Sequence, residues 1–197
     1  TEGLWIDEKS KFNPSTPYAV SRAACDMHLM SFYNSYNFPV VFTRAANVYG
    51  PGQQLYRIIP ITILSALSGK RMNLHGGGNS IRSFIHINDV VEATLKLALK
   101  AEPGTTWHLS TNESISIKDL VKKICELCNT KFEDIVNPYE ERLGKDLSYL
   151  LDSSAIRKNF DWCEKINLED GIKETISWIE KNFEILSKVS WEYHHKI

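Results

Sequence analysis

Tyr18 and Arg22 stand four residues apart in the stretch STPYAVSRAACDMHL, directly after Pro17. Four residues is about one helical turn, so on a helix a phenol and a permanent cation share a face. A phenol ionises near pH 10 in water, and a cation ~4–6 Å away lowers that value by roughly 1–3 units. A pair of this kind can act as a base or as a proton relay. The same spacing also serves ordinary packing, and the pair by itself leaves both readings open.

Three other arginines, Arg57, Arg82 and Arg142, each sit beside a turn or the end of an element. Guanidinium groups grip phosphates in a bidentate fashion, so the three together can hold a diphosphate, while each alone also suits a solvated surface. The segment HGGGNS at 75–80 can aim backbone N–H groups at an anion. It lacks the G-x-G-x-x-G spacing between a strand and a helix, and it reads as a tight turn. The six histidines show no metal-ligand spacing, so no metal is assigned. Cys125 and Cys128 make a C-x-x-C inside the helical run SIKDLVKKICELCNT, with no second Cys or His pair, and read as core thiols.

The elements that must position these side chains alternate between helix and strand, which predicts an α/β fold. Ser15 or Thr16 caps a helix that starts at Pro17, with apolar stripes at Ala19, Ala23, Met27, Met30 and at Tyr18, Arg22, Cys25, Leu29. Two stripes predict a helix covered on more than one side. FPVVFTRAANVYGPG reads as one buried parallel strand ending in a loop, and IIPITILSALSG as a helix closed by Gly69. Strands follow at MNLHG and SIRSFIHI, then a helix capped by Asn88 or Asp89, then a strand at TTWHLST. Helices near 116–129 and 168–186 flank a strand at SYLLD and a short helix, and residues 1–14 and the tail 188–197 read as irregular.

Composition narrows the partners. With 197 residues and 43% hydrophobic content the chain can bury a sizeable core. Lys and Arg total 23 against 24 Asp and Glu, and this net charge of −1 gives no general pull on nucleic acid or an anionic membrane. Four scattered cysteines and no signal-like segment fit a reducing cytoplasm.

Five stretches in one order, NPSTPYAVSRAACDMHL, RAANVYGPGQ, IRSFIHINDVVEA, ERLGKDLSYLLDSSAIRKNFDW and LEDGIKETISWI, resemble the nucleotide-sugar epimerases and dehydratases of the extended short-chain dehydrogenase/reductase family. The likeness runs from about Asn13 to about Phe183 and is nearest the dTDP-glucose 4,6-dehydratase branch. It implies the C-terminal part of a Rossmann-like NAD domain, residues 1–50 and 88–112, with a smaller mixed α/β substrate domain at 51–87 and 113–187.

The resemblance also implies roles. Tyr18 matches the family tyrosine that exchanges a proton with the sugar hydroxyl, and Arg22 stands where the family has a lysine that holds the NAD ribose and lowers the tyrosine's pKa. Asn47 matches an asparagine that contacts the sugar nucleotide near its phosphates. Arg57, Arg82 and Arg142 fall where basic residues surround the diphosphate, Asp146 matches an acid near the nucleotide ribose, and Leu74 and His75 flank the nucleobase. The implied reaction is 4,6-dehydration of a nucleotide sugar, with 4-epimerisation and a non-catalytic nucleotide-sugar-binding module as alternatives. The family's Gly-rich half and its elimination acid and base are expected upstream of Thr1, so this chain alone is expected to be inactive, and the whole protein to pair as a homodimer through the Tyr18 helix.

Overall fold

The computed structural model describes residues 4–140 and 147–192. In chain order the first elements are α1 (Pro17–Tyr36), β1 (Phe42–Ala45), β2 (Asn47–Tyr49), α2 (Ile58–Ser68), β3 (Met72–His75), β4 (Ile81–Arg82) and β5 (Phe84–His86). Then come α3 (Ile87–Lys100), β6 (Thr106–Leu109), β7 (Ile115–Ser116), α4 (Ile117–Leu127), α5 (Phe132–Ile135) and β8 (Val136–Tyr139). The last are β9 (Ser148–Tyr149), α6 (Ser154–Phe160), α7 (Leu168–Lys181) and α8 (Phe183–Leu186).

The fold is mixed α/β with short, mostly parallel sheets. β1 pairs with β6, β2 with β5 and β3 with β8, all parallel, while β4 lies between antiparallel β7 and parallel β9. Two of the predicted strands divide. The run VVFTRAANVYG holds β6 through Ala46, whose N–H bonds Leu109 O, and from Asn47 onward holds β5. SIRSFIHI divides at Ser83, leaving the β7–β4–β9 sheet and joining β2. Each strand changes partner at a single residue, and these two residues lie against one another.

Three apolar clusters hold the layers together. Tyr49, Phe84 and α2 pack on α4 and α7, while Ala46, Ile85 and Leu109 meet α3 and α6 at Ala93, Leu97 and Ile156. Met72 and Leu74 meet α4 and α5 at Val121, Cys125 and Ile135. Fully burying one such aliphatic side chain stabilises by about 1.5–3 kcal/mol.

Several expectations need correction. The first helix starts where expected, with Thr16 Oγ1 accepting Ala19 N at 3.2 Å and Pro17 in the first turn. It is covered on one side only: Ala19, Ala23, Asp26, Met30 and Tyr33 are half-buried, the stripe Tyr18, Arg22, Cys25, Leu29 is exposed, and no residue of α1 is buried. The cap of α3 is His86, whose Nδ1 accepts Asn88 N, rather than Asn88 or Asp89. Asp89 is instead buried, and its two oxygens accept Lys165 N at 3.0 Å and Ile166 N at 3.2 Å. Sequence periodicity misses β7, α5 and β8, each two to four residues long and too short to show a period. The tail is anchored at least to Trp191, whose Nε1 donates to Leu186 O.

Candidate functional site

Arg44 and Gly104 set the position of α1. Arg44, on β1, donates from Nε at 3.1 Å and from Nη2 at 2.9 Å to one oxygen of Asp26, and its guanidinium lies 4.5 Å from the centre of the Phe12 ring. Gly104, just before β6, lies so close to Tyr33 that a Cβ there would run into the ring. The neighbouring Ala45 packs instead toward α3, so α1 and α3 lie on opposite faces of the β1–β6 pair. Held this way, α1 presents Tyr18, 75% exposed, and Arg22 one turn later. Neither the phenol nor the guanidinium has a hydrogen-bond or ionic partner among the described residues.

The crossing of the two divided strands organises the second group. Ser83 O accepts both Asn47 N at 3.1 Å and Asn47 Nδ2 at 3.0 Å, which fixes the plane of that amide. Arg82 directly precedes Ser83 and donates from Nη1 to Ile81 O at 2.7 Å and Leu147 O at 3.3 Å, lying along the β4–β9 side. Beyond β2 the chain turns at Gly50, where φ is +146° and a Cβ would meet Ile87 Cγ2 at 2.7 Å, so only glycine fits. Gln53 closes this turn by donating from Nε2 to Val48 O at 2.7 Å. Arg57 follows at the start of α2, exposed, with its guanidinium 5.6 Å from the Tyr56 ring.

The third group lies on β3. Leu74 is buried in the third cluster, whereas His75 stays half-buried at the strand end. The His75 ring packs edge-on to Tyr139 of β8 at 4.9 Å, and Nδ1 lies 3.0 Å from Glu140 O. The glycines that follow form a tight turn, as expected; a Cβ on Gly78 would meet Lys118 N at 2.8 Å. Arg142 and Asp146 lie outside the described residues.

Burial sets the character of Tyr49 on β2. Burial, followed by the charges of Asp89, Glu174 and Asp170, pushes the Tyr49 phenol well above its ordinary value, so it stays neutral and is unsuited to act as a base. Among the described residues its oxygen makes only long contacts, of 3.4–3.5 Å, to Leu168 O and Asn167 O. His86 is buried edge-on to that ring at 5.4 Å. Its Nδ1 accepts Asn88 N at 3.4 Å, and its Nε2 lies 3.5 Å from Glu174. Cys125 and Cys128 are both pushed up to about 11 by burial, which fits core thiols. Among the described residues no cluster of His, Cys, Asp or Glu is placed to hold a metal ion, and no helix is long and apolar enough to cross a membrane. No motif spacing in the sequence singles out Ser83 or Gln53. A serine inside the apolar run SFIHI was the available signal, since a buried hydroxyl in a strand has to find partners.

A family model described as GDP-mannose 4,6 dehydratase matches residues 2–175. The chain belongs to this family. For a member of the GDP-mannose 4,6 dehydratase family it has relatives that name more than one nucleotide. The dTDP-D-glucose 4,6-dehydratase of Mus musculus is 36% identical over 183 residues, covering 90% of this chain and 51% of that protein. The trifunctional UDP-glucose 4,6-dehydratase/UDP-4-keto-6-deoxy-D-glucose 3,5-epimerase/UDP-4-keto-L-rhamnose-reductase of Arabidopsis thaliana is also 36% identical over 183 residues, covering 93% of this chain and 27% of that protein. A crystal structure of dTDP-glucose 4,6-dehydratase from Bacillus anthracis in complex with NAD matches with a TM-score of 0.88 at 30% identity, covering 94% of this chain and 58% of that one. The chain thus spans about half the length of the mouse relative.

Proposed function

We propose that this chain is the sugar-nucleotide-binding part of an NAD-dependent 4,6-dehydratase acting on glucose linked to dTDP or UDP. The observation that carries the reading is the open Tyr18–Arg22 face of α1: a phenol and a cation one turn apart, both without a hydrogen-bond or ionic partner among the described residues. In this reading residues 1–50 and 88–112 form the cofactor side, and 51–87 with 113–187 form the side that holds the nucleotide sugar. Supporting it, strands diverge at Asn47 and Ser83, and ligands of open α/β sheets sit in the crevice where neighbouring strands part.

Tyr18 and Arg22 fit NAD by their chemistry, since a guanidinium without a partner among the described residues offers donors to ribose hydroxyls, and a phenol on the same helix face can give or take a hydrogen bond at the sugar. When bound, NAD supplies the hydride acceptor at sugar C4 and the hydride donor at C6. Tyr18 Oη takes the proton of the C4 hydroxyl as that carbon becomes a ketone. The ketone acidifies the proton on C5, so water is lost across C5 and C6 only after oxidation. Arg57, Arg82 and Arg142 neutralise the diphosphate, and Asn47 presents its remaining amide groups near it. His75 lies against the base, with Leu74 packed beneath to fix the strand, and Asp146 bonds the nucleotide ribose. Catalysis is a property of the whole protein, and binding a property of this part.

The test is mass spectrometry of the full-length protein turning over dTDP-glucose and UDP-glucose with NAD. The expected product is lighter by one water, and Tyr18→Phe lowers its rate roughly 10²–10⁴-fold while leaving substrate binding in place. A product of unchanged mass marks an epimerase instead, and undiminished dehydration in Tyr18→Phe removes the tyrosine from its assigned role.

A further inference from the structure

We propose that Ser83 is a positioning residue for the nucleotide-sugar site, acting through Asn47. The role assigned to Asn47 rests on the function proposed above; the coupling between the two residues rests on geometry alone.

Ser83 is fully buried, and its two polar groups face different parts of the fold. Its carbonyl takes both N–H groups of Asn47. Its hydroxyl lies 2.8 Å from Thr111 Oγ1, 2.8 Å from Glu113 O and 3.2 Å from Ser110 Oγ. A hydroxyl has one proton and two acceptor sites, so with Ser83 donating to the nearer carbonyl, Glu113 O at 2.8 Å rather than Thr111 O at 3.3 Å, both Thr111 and Ser110 are placed to donate to it. The chain continues beyond this knot: Ser153 Oγ donates to Ser110 O at 2.8 Å, and Arg157 Nη2 donates to the same oxygen at 3.1 Å.

Ser83 therefore pins the point where one strand leaves the β4 sheet for β2, and the pin is the segment after β6. Without its hydroxyl, Ser83 loses its tie to Glu113 O and is held only from the Asn47 side, while Thr111 and Ser110 turn to the longer contacts with Phe84 O, Glu113 O and Thr111 O at 3.1–3.4 Å. The Asn47 side chain has no other hydrogen bond among the described residues. Its amide plane follows the Ser83 carbonyl, which leaves Asn47 Oδ1 and one amide hydrogen for a ligand.

The test compares Ser83→Ala, Ser83→Thr and, as a control that cuts the hydroxyl chain at its far end, Ser153→Ala. The first readout is the Asn47 side-chain amide signal in nitrogen-15 NMR spectra, assigned by its loss in Asn47→Ala. Ser83→Ala is expected to shift and broaden it, Ser83→Thr to restore it, and Ser153→Ala to leave it unmoved while lowering the melting temperature. The second readout is calorimetric affinity for dTDP-glucose and UDP-glucose. Ser83→Ala and Asn47→Ala are each expected to cost roughly five- to tenfold, with the double variant no weaker than the worse single one. An Asn47 signal indifferent to Ser83→Ala, or additive losses in the double variant, overturns the proposal. Absence of binding by the unaltered chain with the signal still coupled overturns the functional reading and leaves the positioning relationship standing.

Discussion

Asn47 gives both its backbone N–H and its side-chain N–H to the carbonyl of Ser83, at 3.1 and 3.0 Å. The bond pair joins the two residues at which neighbouring strands exchange partners. Asn47→Asp replaces the side-chain donor with a carboxylate that can only accept, facing a carbonyl that can only accept. The expected cost is about 1–3 kcal/mol of stability together with weaker binding of nucleotide sugars. Chemical denaturation and calorimetry of this variant check it; a variant with unchanged stability contradicts the assigned bond.

Gly171 lets α7 lie directly on the Tyr49 phenol, where a Cβ would run into Oη and meet Cζ at 2.8 Å. Gly171→Ala should cost roughly 1–3 kcal/mol by overpacking, or about 2–4 °C of melting temperature per kcal/mol in a chain of this size. Adding Tyr49→Phe removes the closest atom, at the expense of only long hydrogen bonds, and should recover part of the loss. Thermal melts that show no recovery would place the clash elsewhere.

His108 supplies a pH dependence. Burial, aided by the nearby Arg44 and opposed by Glu8, holds its pKa below the ordinary 6.5, and its ring bonds Ile6 O at 3.2 Å. Below about pH 6.5 the unfolded chain takes up a proton that the folded chain resists. This stability is present above the unfolded value and is lost as pH falls through it toward the folded one. Melting curves from about pH 8 to about pH 5 should steepen in that window, and His108→Gln should remove that part of the slope. An identical slope in the variant contradicts the assignment.

Thiol chemistry offers a separate check on the C-x-x-C reading. Cys25 and Cys163 are exposed, while Cys125 and Cys128 are pushed up to about 11 by burial. An alkylating reagent at about pH 8 should label the first two in the native chain and all four after unfolding. Rapid native labelling of Cys125 or Cys128, or a disulfide between them, contradicts a packing role.

Much of the fold was legible because caps and period are local. Thr16, Pro17 and Gly69 mark their helix ends, and the apolar faces of α3, α4 and α7 repeat at helical spacing. The strand partner exchanges at Ala46–Asn47 and Ser83 were not legible, since one apolar run looks the same whether it faces one neighbour or two. Cover on α1 was overread for a related reason: a stripe of apolar residues shows which side can be buried and says nothing about whether a surface is there to bury it. Spacing alone singles out Tyr18 and Arg22, which the structure leaves exposed, whereas nothing local singles out Ser83, whose partners Thr111 and Glu113 lie some thirty residues away in the chain.

We propose that this chain by itself holds a nucleotide sugar. Titration calorimetry of the chain with dTDP-glucose and UDP-glucose tests it directly. Saturable binding at one site is predicted, weakened roughly ten- to hundredfold by Arg57→Ala through loss of a charged hydrogen bond to the diphosphate. Heats no larger than dilution with both ligands, or unaltered affinity in Arg57→Ala and Asn47→Asp alike, would contradict it.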